Sequence, residues 1–178
     1  MANEKRQFEK MSEVNKFIYF LLLQFGSPYG WGKENPEASD CSGVVCMALF
    51  AATGHLIRTT ADDLFKRVFT NLNPKRGEIQ AVFYVTKKNQ KHGDRMVTAG
   101  TATHIAAIID DGVVFNSQEP HAKVRRINEL SDWYFRNGFE IYVRGLNRDA
   151  LARLAREGKT THGLDNNFHH YFEVRREK

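Results

Sequence analysis

Between Asp40 and Gly54 runs the stretch CSGVVCMALFAAT, in which Val44, Val45, Met47, Ala48, Leu49 and Ala51 leave almost no polar face. A helix that is apolar nearly all round has to be enclosed by the rest of its chain, so this stretch predicts a central element, not a surface one. Ser39 or Asp40 offers an N-cap oxygen and Gly54 a C-terminal stop, so the helix starts just after one of the two caps and runs to Thr53. With 178 residues, 42% of them hydrophobic, the chain can enclose such a helix within one domain.

The flanking patterns supply what would enclose it. Val14, Phe17, Ile18, Leu21, Leu22 and Phe25 recur at helical spacing over 12–25, and Gly26, Ser27 and Pro28 end the pattern, predicting a core helix. PYGWGKENPEA reads as a loop, and a short third helix is expected over 60–69. Four β-rich runs follow, EIQAVFYVT, HIAAIID, VVFNSQ and FEIYVRGL, with Asp111 and Gly112 as a tight turn between the second and third. Helices first and a small antiparallel sheet afterwards predict an α+β fold. Segment 87–103, KKNQKHGDRMVTAGTAT, is polar and longer than a hairpin needs, and reads as a flexible loop or flap. The main unit is expected over 1–146, with 147–178 a basic helix stopped at Gly158 and a polar tail, packed on the same domain.

Charge and cysteine content narrow the partners. Twenty-six Lys and Arg against 21 Asp and Glu leave a net charge of +5, which favours an anionic partner: nucleic acid, a membrane surface or an acidic wall polymer. FIYFLLLQF at 17–25 is far short of the roughly 20 apolar residues of a membrane span. It follows Glu4, Glu9 and Glu13, and no small-residue cleavage site precedes SPYGWG. No export signal is read, and synthesis in the cytoplasm is expected. Cys41 and Cys46 form neither a CxxC pair nor part of a disulfide framework, so both are expected to be free thiols. His162, His169 and His170 lack ligand spacing and read as solvated or packing residues, so neither metal nor cofactor is expected.

Cys46 sits mid-helix among Val45, Met47 and Ala48 and reads as packing. Cys41 stands at the helix start, where the backbone dipole and open N–H groups favour thiolate, so it is either a nucleophile or a second packing thiol. A nucleophile needs a base and a group to orient that base. His104 opens one strand and Asn116 lies in its hairpin partner. With Asp111-Gly112 as a two-residue turn, Asp110 faces Val113 and His104 falls roughly opposite 117–119, within diagonal reach of Asn116.

In their order along the chain these segments resemble the NlpC/P60 family of cysteine peptidases. PYGWGK is similar to the family's P-Y-x-W-G-G, and DCSGVV matches its D-C-S-G-[LV]-V. GHLIRTT is similar to G-x-x-[LI]-x-R-[TS]-[ST], and PKRGEIQAVFY to P-G-D-L-V-F-F. THIAAIIDDGVVFN resembles H-V-G-I-Y-I-G-x-G-x-x-[IF]-[HNQ]. The departures are Lys33 for the second glycine of W-G-G, Ile57 for the usual proline before Arg58, and the long segment before His104.

The resemblance implies a papain-like fold and hydrolysis of peptidoglycan stem peptides, typically at the γ-D-glutamyl bond to a diamino acid. It assigns the nucleophile to Cys41, the base to His104 and the third polar position to Asn116, and places Tyr29, Asp40, Ser42 and Arg58 at substrate. Peptidoglycan or muropeptides are the partners it implies, without nucleic acid or integral membrane contact, for a chain expected to be monomeric. The cellular roles left open are a phage or prophage endolysin and a cytoplasmic muropeptide-recycling peptidase. A thiol amidase or acyltransferase of the same fold and a non-enzymatic wall-binding or phage structural module remain as rivals.

Overall fold

A computed structural model describes residues 7–35, 37–92 and 94–158 of the chain. In chain order its elements are helix α1 (Glu13–Leu23), strands β1 (Glu34–Asn35) and β2 (Ala38–Ser39), and helix α2 (Cys41–Thr53). Helix α3 (Ala61–Asp63) runs into a π-turn at Leu64–Val68. Then come β3 (Gln80–Thr86), β4 (Gln90–His92), β5 (Arg95–Val97), β6 (Ala102–Asp110), β7 (Val113–Gln118) and β8 (His121–Arg126). Helix α4 (Ile127–Arg136), strand β9 (Phe139–Gly145) and helix α5 (Arg148–Glu157) complete the order.

Helix α2 begins and ends where its caps require. The Asp40 carboxylate accepts the Gly43 N–H, Gly54 closes the helix at φ 76°, and every residue from Cys41 to Leu49 is buried. Around it an antiparallel sheet runs in the order β8-β7-β6-β3-β9. One face, with Phe83, Ile105 and Phe115, packs on Phe17 and Leu21 of α1 and on Val45 and Leu49 of α2. The other, with Val82, Tyr84, Ala106 and Val114, is covered by Leu130 and Tyr134 of α4 and by Phe139. Strand β3 is therefore buried on both faces, and each large apolar side chain taken fully out of water there contributes about 1.5–3 kcal/mol.

Two expectations are corrected. Helix α1 buries Phe17, Phe20 and Leu21, but Leu22 and Phe25 are 46% and 62% exposed. Its buried stripe is centred on Phe17 and Leu21, so Leu22 lies off to one side and Phe25 falls beyond the helix end. Segment 87–103 is not a loop throughout: Gln90 pairs with Val97 and Lys91 with Met96 in a small hairpin. Side chains pin its base, since Asn89 Oδ1 accepts the Ala99 N–H and Asp62 Oδ1 accepts the Ala102 N–H. Strand β6 consequently starts two residues before His104. Strand β8 and helix α4 were not anticipated at all. Helix α5 has Asn147 as its N-cap and Gly158 as its stop, and sends Leu151 and Leu154 into the main core. The tail histidines lie outside the described residues, as does the expected tail itself.

Candidate active site

The start of α2 is held by buried charges. Asp40 Oδ1 accepts from the Ser42 hydroxyl at 2.9 Å and the Gly43 N–H at 2.6 Å, while Oδ2 accepts from the Gly32 N–H at 2.9 Å and Arg58 at 3.0 Å. The Arg58 guanidinium also donates to Ser42 Oγ and the Thr59 carbonyl and pairs with Glu34 at 3.1 Å. Only 2% of Arg58 reaches solvent. Glycine at 43 lets the Lys33 carbonyl approach: a Cβ there would meet that oxygen at 2.4 Å. The loop carrying Tyr29 is thereby fastened to the helix that carries Cys41.

The Cys41 thiol lies at a gap in the sheet. The ladder between β6 and β7 ends at Ala107 paired with Phe115, and beyond that end the Ile105 and Ser42 N–H groups lie close enough to the Cys41 sulfur to favour its thiolate. Ile105 follows His104, so the thiol stands beside the strand segment that bears the imidazole. His104 Nε2 lies 2.6 Å from Asn116 Oδ1. A carbonyl oxygen only accepts, so Nε2 carries the proton, and Nδ1 is left free to take one. The Asn116 orientation is fixed in turn, because its Nδ2 donates to Gln118 Oε1 at 3.3 Å.

A bulge makes the His104–Asn116 contact possible. Asp110 faces Val113 as the turn predicts, but Ile108 pairs with Val114, leaving Ile109 as an extra residue. Continuing that shifted register sets His104 opposite Gln118 and on the same face as Asn116. Without the bulge His104 would face Glu119 and Asn116 would point to the opposite side, since a one-residue slip exchanges the two faces of a strand. The sequence-based register is therefore off by one residue beyond the turn.

Burial shifts both groups toward their neutral forms. Burial, followed by the nearby Asp40 carboxylate, pushes the Cys41 thiol up to about 12, against the opposing pull of the Ile105 and Ser42 N–H groups and of Arg58. The dipole argument from sequence captured only the weaker, local part of this balance. Burial lowers His104 to about 4, with Asn116 raising it, His92 lowering it and Asp40 raising it. A neutral thiol beside a neutral imidazole whose Nδ1 is open can pass its proton as sulfur attacks, without a resting ion pair.

Among the other sequence candidates, Asp40, Ser42 and Arg58 are brought together in the charged frame, and Tyr29 lies partly exposed within electrostatic range of both Cys41 and Asp40. Two neighbours of the imidazole were missed: Tyr84, paired across the sheet with His104, and Tyr134 from α4. The spacing of Ile127, Leu130 and Tyr134 carried a helical signal that was not used. Among the described residues no His, Cys, Asp and Glu cluster could hold a metal ion.

Asn116 can be tested directly. Asn116→Ala leaves the buried His104 N–H without its acceptor, a loss of about 1–3 kcal/mol, and should lower turnover about 5- to 150-fold. His104→Ala should cost more, and Asn116→His should keep most activity. Steady-state kinetics on the three variants checks the ranking.

A thiol, an imidazole and an amide, carried by a helix start and two adjoining strands, make up the candidate site of this α+β domain. The chain belongs to the NlpC/P60 family, whose family description matches residues 26–144. Solved structures carry the same fold at low identity. NlpC2 and NlpC1 from Trichomonas vaginalis superpose with TM-scores of 0.54 and 0.52 at 13% and 14% identity. Each alignment covers 76% of this chain, and 46% and 44% of the respective relatives. The peptidoglycan hydrolase RipB from Mycobacterium tuberculosis gives 0.51 at 20% identity, over 74% of this chain and 63% of its own. The chain thus spans under half the length of the Trichomonas proteins. No curated protein sequence matches it.

Proposed function

We propose that this chain is a cysteine endopeptidase that hydrolyses peptidoglycan stem peptides at the bond between γ-linked D-glutamate and the diamino acid. The observation that carries the reading is the buried His104 imidazole with Nε2 committed to Asn116 at 2.6 Å, on the strand next to the helix start that bears Cys41, whose thiol lies near the N–H of the following residue, Ile105. Sulfur attacks the carbonyl carbon while its proton passes to His104 Nδ1. The Cys41 N–H, one of the donors a helix start leaves open, faces the developing oxyanion. The imidazolium then protonates the departing amine as the carbon–nitrogen bond breaks, and water releases the acyl group from the thioester. Tyr29 is the residue placed to touch substrate, with Asp40, Ser42 and Arg58 shaping the wall behind it.

Asp40 bears on the cellular role. Its carboxylate already accepts four hydrogen bonds from the protein, so recognition does not need a free substrate amine at that carboxylate, and stems still joined to the glycan are acceptable. This favours an endolysin acting on intact wall over a recycling peptidase acting on free muropeptides. The test is mass spectrometry of soluble products from purified sacculi, alongside kcat/KM on free and glycan-linked stems. Cleavage after D-glutamate, with similar rates on both substrates, is expected. Products cut elsewhere overturn the bond assignment, and a strong preference for free stems overturns the lysin reading.

A further inference from the structure

His104 is held by three side chains, of which Asn116 and Tyr84 lie within the sequence motifs and Tyr134 does not. Tyr134 lays its ring nearly parallel to the imidazole, at 12° and 5.4 Å between centroids, and stacks in turn on Tyr84 at 3.9 Å. It is 3% exposed and is braced edge-on by Phe139 and Trp133. The Tyr134 hydroxyl also lies within electrostatic range of Cys41 and Tyr29. A single aromatic side chain from α4 thus spans the distance between the imidazole face and the thiol's surroundings.

Resting on the reading of the site as a thiol hydrolase, we propose that Tyr134 is a positioning residue for His104. Its ring fixes the imidazole plane in which Nε2 meets Asn116 and Nδ1 remains open toward the thiol. A hydrogen bond to Asn116 leaves the ring free to rotate about the Nε2–Oδ1 line, and a rigid plate against its face removes that freedom. Tyr84 lies beside both rings, 3.9 Å from Tyr134 and 5.8 Å from the imidazole, and α4, otherwise a surface helix with Trp133 55% exposed, delivers the plate. The same plate keeps water from the imidazole.

The groups around His104 are Asn116 from β7, Tyr84 from β3, Tyr134 from α4, His92 from β4 and Asp40 at the head of α2, with the Cys41 thiol near the N–H of the following residue, Ile105. Tyr134 covers the imidazole from α4, and its removal admits water without changing a charge. Burial is the main cause of the low proton affinity of His104, so opening that face moves its titration upward, toward the ordinary histidine value near 6.5. The neutral imidazole is then lost at a higher pH than in the wild type, and the acid limb of kcat/KM follows it.

Tyr134→Leu should lower kcat about 10- to 100-fold with little change in KM and shift the acid limb upward by at least one pH unit. Tyr134→Phe, which keeps the plate, should retain the wild-type acid limb. Trp133→Ala, which removes a brace and not the plate, should do the same. NMR titration of the His104 imidazole, assigned with His104→Gln, reads the shift without turnover, and Tyr134→Met serves if the Leu variant does not fold. A fall in active fraction with the titration and the acid limb unmoved would make Tyr134 a packing residue and overturn the proposal. If the wild type hydrolyses no stem peptide, the thiol hydrolase reading itself falls, whereas an active wild type with an unaffected Leu variant sinks only the role of Tyr134.

Discussion

Replacing Cys41 by alanine is expected to bring hydrolysis to background, a loss of at least about 10³-fold or roughly 4 kcal/mol of transition-state stabilisation. The fold should survive, because α2 is held at its start by the Asp40 cap and the Arg58 contacts, none of which uses the sulfur. Cys46 is the internal control. It is 0% exposed in the middle of the same helix, so Cys46→Ala should cost stability of about 1 kcal/mol and leave turnover nearly intact. Iodoacetamide should alkylate Cys41, which is 8% exposed at the helix start, well before Cys46. Because the thiol rests protonated, that labelling should be slow at neutral pH and accelerate steeply with alkali. Equal losses of activity in the two alanine variants, or equal labelling, would remove Cys41 from the nucleophile's role.

What could be read from sequence follows from whether the cause of each feature is local. The bounds of α2 were legible because an N-cap aspartate, a glycine stop and an apolar run are all within the segment itself. The pairing of His104 with Asn116 was legible only in outline. Its residue types are in the motif, but the face they share depends on Ile109 bulging out of the ladder, and nothing in HIAAIIDDGVVFN marks which residue does so. The β4-β5 hairpin was hidden because its strands are only three residues each and β4 is wholly polar, and its base is closed by Asn89 and Asp62, the latter from another part of the chain. Helix α4 hid behind a start without a cap: Arg126 makes no side-chain capping bond, while the strongly charged surface positions dilute the Ile127, Leu130, Tyr134 spacing. The protonation of Cys41 is the clearest case of a tertiary cause outweighing a local one, since the helix start argues for thiolate while burial and Asp40 decide for thiol.

The same tertiary logic makes Arg58 the side chain whose loss should destabilise the fold most. Its guanidinium is buried and serves Glu34, Asp40, Ser42 and the Thr59 carbonyl at once, a fork that no other side chain reproduces. Arg58→Met has a similar reach but no charge, and it takes the guanidinium from two carboxylates that are 2% and 8% exposed. Breaking a buried pair in this one-sided way costs about 3–5 kcal/mol, a large share of the 5–15 kcal/mol that holds a typical domain together. Arg58→Lys keeps the charge but not the fork and should fall between the two. Neutralising the partners separates charge from packing: Glu34→Gln and Asp40→Asn added to Arg58→Met should recover part of the loss, because amides are far cheaper to bury than carboxylates. Urea unfolding of the four proteins measures this directly. If the triple variant is no more stable than Arg58→Met, the charges are not what Arg58 holds in place, and its contribution is one of shape. Activity should follow stability only in part, since a loosened Asp40 also loosens the first turn of α2 and, with it, the thiol that must meet the His104 imidazole.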